Sequence, residues 1–285
     1  MKNKLTLAFC AALAFSAACN ISAPAQGKPG TVVVKGSDTM VNLSAAWAEA
    51  FMKGHPEMTV SVTGGGSGVG IAALLGGSAD ICNASRDIQP KEKKQGADNG
   101  VNPVETNVAL DGIAIVVNPA NPMTEVTPEQ LMKIYTGATT NWKDVNGQDA
   151  KILTLSRETS SGTYVFFQEH VLQKQDYASS VRLMPATSAI IEAVASDKAA
   201  IGYVGLGYAV MAKDRVKLLP VKADAAAPAV APSEETVRSG KYWIARPLHC
   251  YTNGKPKGGA KAFLDFCLSP AGQAIVREQG YVPLN

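Results

Sequence analysis

Histidine and cysteine, the residues that most often carry catalysis or hold a transition metal, are scarce: three histidines and five cysteines in 285 residues. Cys10 and Cys19 fall in the first 25 residues, which leaves Cys82, Cys250 and Cys267, an odd number that excludes full pairing. There is no C-x-x-C, no H-E-x-x-H, no G-x-S-x-G and no carboxylate cluster with metal spacing, so neither a metal nor another cofactor is expected. His55 precedes Pro56 in a turn, His170 falls inside a helical run and His249 in an apolar strand; none is placed to activate a nucleophile. The three later cysteines read as small buried hydrophobes. A Cys250–Cys267 bridge stays open, because spacing does not fix the geometry.

Charge is thin as well. Only 18% of residues are charged, and the net charge of +3 falls to +1 once Lys2 and Lys4 are set aside. A chain without a basic field is no nucleic-acid binder, and any anion chemistry must be local. Past residue 25 no run reaches the roughly 18 to 20 apolar residues that span a bilayer. The leader itself has a positive start at Lys2 and Lys4, an apolar run from Leu5 to Ala18, and "SAPAQ", which offers a cut after Ala25. Residues 1–25 therefore read as a signal peptide of an exported protein. Cys19, after "FSAA", supplies a second reading as a lipid-anchored protein, although the residue three before it is Ser16 instead of the usual Leu.

What remains is rich in apolar residues, 46% of the chain, enough for a large core in one big domain or two lobes. Short β-rich runs alternate with helical ones: "TVVVKG", "MTVSVTG" and "ADICNAS" are each followed by a helix, which predicts an α/β fold with doubly wound, mainly parallel sheets. The stretch 102–122 is too long for an average strand and carries Asp111-Gly112, so it is expected to break there into a strand, a crossover and a second strand. The expected division is 31–110 with 240–285 as a first lobe and 111–239 as a second, with "IARPLHCYTNG" as the return crossing.

Several strand ends share one chemistry. "KGSDTM" (35–40), "TGGGSGVG" (63–70) and "SRETSSGT" (156–163) place Ser, Thr or Gly where helix N–H groups lack partners, and "NASRD" (83–87) adds Ser85 and Arg86. Ligands of open α/β sheets sit at the carboxyl ends of strands, where these loops converge. Arg157 beside Ser161-Gly162-Thr163 suits a tetrahedral anion, because a guanidinium fork next to hydroxyls and a helix start matches its oxygens. A nucleotide-binding P-loop is excluded, since Gly70 is followed by Ile71 instead of Lys. "GVGIAA" matches the dinucleotide fingerprint only loosely and precedes the second helix, with no second nucleotide half after it.

These loops, together with "DGIAIVVNPANP", "LMKIYTGATTNWKDV", "AIGYVGLGYA", "RPLHCYT" and "AFLDFCLSPAGQAIVREQGYVPL", resemble the phosphate-binding protein of bacterial phosphate ABC importers in its shorter form. The similarity runs over 31–285. It implies a two-lobed periplasmic-binding-protein fold of the type II-like superfamily, a monomer in the periplasm that closes on dehydrated phosphate and delivers it to an inner-membrane permease, with no chemical step. The resemblance maps phosphate contacts to Ser37, Thr39, Met40, Ser67, Ser85, Arg86, Arg157, Ser161, Gly162 and Thr163. Longer family members have an Asp after the third-loop serine to accept the proton of hydrogen phosphate, and here that position is Arg86. Asp38, and after it Asp111, are the acceptors expected instead. The alternatives are a binder of another tetrahedral oxyanion of the sulfate or molybdate class, or a secreted phosphate-ester hydrolase.

Overall fold

The computed structural model describes residues 30–284, so the expected signal peptide and Cys19 lie outside the described residues. In chain order the elements are β1 (Thr31–Gly36), α1 (Val41–Gly54), β2 (Thr59–Thr63), α2 (Ser67–Leu75), β3 (Ile81–Ala84), α3 (Pro90–Asp98), β4 (Pro103–Val117), α4 (Pro128–Tyr135), β5 (Leu153–Arg157), α5 (Gly162–His170), β6 (Arg182–Met184), α6 (Thr187–Ser196), β7 (Ala200–Gly205), α7 (Leu206–Ala212), β8 (Lys217–Leu219), β9 (Val221–Lys222), β10 (Ala229–Val230), α8 (Glu234–Arg238), β11 (Ala245–Asn253), α9 (Gly258–Leu268) and α10 (Pro270–Glu278).

Local chemistry accounts for most of these. In β1 the branched residues Val32 and Val34 point inward in strict alternation. Leu43, Trp47 and Phe51 recur every four residues on the buried side of α1. Thr127 caps α4 by accepting from the Gln130 N–H while Gln130 accepts from Thr127, with Pro128 at the first helical position.

The strand order is β2-β1-β3-β11-β4-β7-β5-β6, with β8 added to β4. β1 lies parallel between β2 and β3, and β5 lies parallel between β6 and β7. The two parallel groups are joined by the antiparallel pair β11 and β4. Helices cover both faces of each group, as expected of a doubly wound fold. Val32, Trp47, Ile81, Leu248 and Phe263 share one cluster, and Ile71, Leu74 and Cys82 occupy the opposite face. In the second group, Ile113, Trp142, Phe167 and Tyr203 form one cluster, and Ala114, Leu155, Ile190 and Val204 the other. Along β4 the core changes from the first group at Ala109 to the second at Ile113; along β11 it changes between Ala245 and Leu248.

The expected break at Asp111-Gly112 does not occur. β4 is one strand of 15 residues. It stays continuous because β11 pairs with it through Gly112, and β7 takes over from Ile113 with no unpaired residue between. The partner changes while the strand does not. Strand β6, helix α7 and the small β9–β10 hairpin, which lies in the Ala/Pro-rich segment 221–232, were not anticipated from the sequence. Cys82, Cys250 and Cys267 are all buried free thiols, so the Cys250–Cys267 bridge is not formed. Burial pushes the Cys250 thiol up to about 12. No helix among the described residues is long and apolar enough to cross a membrane.

Candidate functional site

Four strand ends meet between the two groups. After β1, Gly36 has φ +138, and a Cβ there would fall 2.1 Å from the Asn83 carbonyl oxygen, so only glycine lets the two backbones approach. The Ser37 N–H then donates to Asn83 O at 2.8 Å, and the Ser37 hydroxyl donates to Ser85 Oγ at 2.9 Å. Ser67, at the first position of α2, accepts from the Ser85 N–H at 3.0 Å and lies 3.3 Å from Ser85 Oγ. Thus three loops of the first group bring their serines into one contact.

The second group supplies the start of α5. Ser161 caps it, accepting from the N–H groups of Thr163 and Tyr164 at 3.2 and 3.4 Å. A Cβ on Gly162 would lie 2.3 Å from Ser67 Oγ and 2.7 Å from Ser85 Oγ, so the helix start is pressed directly against those hydroxyls. Thr163 Oγ1 meets Thr39 Oγ1 at 2.8 Å. At the lip, Ser160 Oγ donates to Gly65 O at 3.0 Å and Ser160 O accepts from Gly68 N at 2.9 Å. The structure therefore brings together Ser37, Thr39, Ser67, Ser85, Ser161, Gly162 and Thr163, all buried. Hydroxyls and the positive end of a helix are what an oxyanion requires.

The charged groups depart further from expectation. Arg157 is 2% exposed and donates to Met184 O, Pro185 O, Thr187 Oγ1 and Asp38 Oδ2, leaving one of its five N–H groups for another acceptor. Asp38 does not cap the helix after β1. Its Oδ2 accepts from Arg157 at 3.0 Å and from Thr187 N at 2.7 Å, bridging the two groups, while Oδ1 lies against Gly64.

Two of the mapped contacts are otherwise engaged. Arg86 turns away from the hydroxyls to form a two-pronged pair with Glu92, at 2.8 and 2.7 Å, and also donates to Asp87 O. Burial opposes ionisation of Glu92, but the Arg86 hydrogen bond and the Gln89 N–H outweigh it, and the carboxyl sits below its usual range. Met40 spends its N–H on Ser37 O and buries its side chain in the core.

Asp111 and a residue not singled out by the sequence, Arg246, face each other in register across β4 and β11. Asp111 Oδ1 accepts from the Leu206 N–H at the start of α7 at 3.0 Å, and Oδ2 accepts from Arg246 at 3.1 Å. Burial pushes the Asp111 carboxyl up, with Arg246 pulling the other way. Arg246 also donates to Ser85 O at 2.6 Å and to Thr163 Oγ1 at 2.8 Å. It lines a neighbouring cavity of about 600 Å³ with Phe166, Trp243 and His249; none of the converging hydroxyls lines that cavity. The signal that could have found this pair was a lone Asp in "ALDGIAIVV" and a lone Arg in "IARPLHC", opposite charges inside two apolar strands.

Nothing here activates a nucleophile. The imidazoles bond elsewhere: His55 to Phe51 O, His170 to Phe166 O, and His249 to Asn107 and Asp87. Asp87, Glu105 and His249 place ligand atoms within 4.8 Å of one another, the one such grouping among the described residues, and those hydrogen bonds already occupy the ring.

A family model described as a PBP superfamily domain matches residues 22–271. Phosphate-binding protein PstS of Staphylococcus epidermidis is 35% identical over 259 residues, covering 89% of this chain and 78% of its own. Its counterpart in Staphylococcus saprophyticus is 37% identical over 240 residues, covering 83% and 74%. Among solved structures, a Clostridium perfringens protein described as a phosphate ABC transporter substrate-binding protein with bound phosphate matches with a TM-score of 0.80 at 31% identity, covering 90% of this chain and all of that one.

Proposed function

Because the chain belongs to the PBP superfamily and, within it, to the phosphate-binding proteins, we propose that it captures inorganic phosphate between its two lobes and delivers it to an ABC importer. The observation that carries this reading is the meeting of Ser37, Thr39, Ser67 and Ser85 with the N-terminus of α5, where Ser161, Gly162 and Thr163 stand. These groups supply many neutral donors in a site closed to water, which strengthens each bond, and Arg157 supplies charge. Met40 falls outside the set, since its N–H is engaged, and so does Arg86, whose terminal nitrogens are spent on Glu92 and Asp87 while its Nε stays buried without a partner. The protein is a binder and not an enzyme. Its station is outside the cytoplasm, in the periplasm, free or tethered at Cys19, and it works as a monomer with an inner-membrane permease.

Isothermal titration of the ligand-free protein against phosphate, arsenate, sulfate and molybdate tests the reading. Phosphate is expected to bind tighter than sulfate by more than about tenfold, or about 1.4 kcal/mol. Sulfate or molybdate binding as tightly would move the protein to the wider oxyanion class, and turnover of a chromogenic phosphate ester would make it a hydrolase.

The lobes are taken as 31–110 with 240–285 and 111–239, except that Tyr242 and Ile244, counted there with the first lobe, pack into the core of the second. Their hinge is placed on β4 between Ala109 and Ile113 and on β11 between Ala245 and Leu248, where each strand passes from one core to the other. Closure about such a hinge brings the Asp38–Arg157 and Thr39–Thr163 contacts together. Small-angle scattering is expected to show a smaller radius of gyration with phosphate than without. An unchanged profile at saturation would remove the hinge.

Selection of hydrogen phosphate over sulfate calls for an acceptor facing the ligand's proton. Asp38 stays first, because it stands between Ser37 and Thr39 and only Oδ2 is engaged; both oxygens of Asp111 are held by buried donors. Asp38→Asn keeps the shape and removes the charge that repels sulfate, so the phosphate-to-sulfate affinity ratio is expected to narrow. Full selectivity in this variant would clear Asp38 of the role.

A further inference from the structure

The fork of Arg246 reaches both lobes. Nη1 donates to the Ser85 carbonyl, and Nη2 donates to Thr163 Oγ1 and to Asp111 Oδ2. The residue is 4% exposed, and the Phe166 ring covers the guanidinium, its centre 5.2 Å from the central carbon. Two of its five N–H groups are left over, one on Nη1 and the one on Nε. Nε is sealed from solvent and has no hydrogen-bond partner. A buried guanidinium N–H without an acceptor is costly, and such a group calls for an explanation.

The planar fork supplies one. Nε–H and one N–H of Nη2 lie on the same edge of a guanidinium, the edge that grips two oxygens of one oxyanion. One of the bonds from Nη2 runs to Thr163, itself a proposed anion contact. An anion oxygen that takes that place meets Nε–H along the same edge. Thr163 Oγ1 keeps its own proton for the anion or for Thr39. Asp111 accepts from the same Nη2, and Leu206 N–H holds Asp111. We infer that Arg246 is a second charged contact for the bound anion, made through its Nε edge, with Asp111 as the residue that positions it. A purely structural pair across β4 and β11 would use the same Asp111 bond but would leave Nε indifferent to ligand.

This rests on the cleft being the phosphate site, so titration of the unaltered protein with phosphate comes first. Its arginine Nε–H resonances are then followed by ¹⁵N–¹H spectroscopy during the titration, with chloride at matched ionic strength as the control. Arg246 is assigned by the signal that Arg246→Lys removes or, should that variant fail to fold, by proximity to the Phe166 ring. The expected result is a downfield shift of that resonance with phosphate alone. Arg246→Lys keeps the charge and loses the edge, and is expected to weaken phosphate binding by more than about tenfold. A resonance that does not move while phosphate binds overturns the assignment, even if the variant binds weakly. Binding by Arg246→Lys within about threefold of the parent also overturns it. No phosphate binding by the unaltered protein would instead defeat the reading of the cleft.

Discussion

Arg157→Ala is expected to weaken phosphate binding by about 2–5 kcal/mol, the cost of truncating one partner of a buried, hydrogen-bonded charge pair. The residue is 2% exposed and fixed by four acceptors, so its guanidinium is held in place before any anion arrives. Removing it also strands Asp38. With its guanidinium partner gone, Oδ2 keeps only the Thr187 N–H, and an uncompensated carboxylate beside the site repels an anion. Lysine is no substitute, because an ammonium cannot reach Met184 O, Pro185 O and Thr187 together. Arg157→Lys should therefore lose most of the same affinity. Calorimetry of both variants checks this, and Arg157→Ala binding within about threefold of the parent would take Arg157 out of the site.

The contrast between Arg157 and Arg86 shows which parts of the site were readable. Every hydroxyl contact was marked locally: small residues at the end of a β-rich run, followed at once by a helical pattern. Such signals survive in sequence because strand end, turn and helix start are neighbours in the chain. The fates of the charges were not local. Asp38 finds Arg157 119 residues away, and Asp111 finds Arg246 135 residues away. Arg86 could have been resolved, since Glu92 sits three residues after the cap of α3 and its carboxylate bonds back to Gln89 N–H, which holds an acceptor near Arg86.

The fold was legible to a similar depth. The alternation of strands and helices announced the doubly wound groups, whereas the continuity of β4 depends on two partners, β11 and β7, contributed by distant parts of the chain. Asp-Gly usually marks a turn. Here the Asp carboxylate is answered by Arg246 in register and by the start of α7, so the polar residue is satisfied within an unbroken strand.

That satisfaction is costly to undo. Asp111→Ala is expected to lower folding stability by about 3–5 kcal/mol, since it leaves the Arg246 charge buried without its partner. For a protein of this size that corresponds to a fall of about 6–20 °C in Tm, read by calorimetry of the ligand-free protein. The pair as a whole need not stabilise the fold, because burial works against both charges: it raises the Asp111 pKa and lowers that of Arg246. Breaking it is a different matter from never having built it. Asp111→Asn keeps an oxygen for Arg246 and should lose less than the alanine variant. The sign of the pH dependence separates the two contributions. A folded-state pKa above the unfolded value means that Asp111 binds its proton more tightly when folded, so its contribution is fullest below the ordinary 3.8 and is lost as pH rises through the raised value. Asp111→Asn cannot titrate and removes that part of the slope. Unchanged stability in Asp111→Ala would mean that Ser85 O and Thr163 alone compensate Arg246, and the buried pair would have no part in holding β4 to β11.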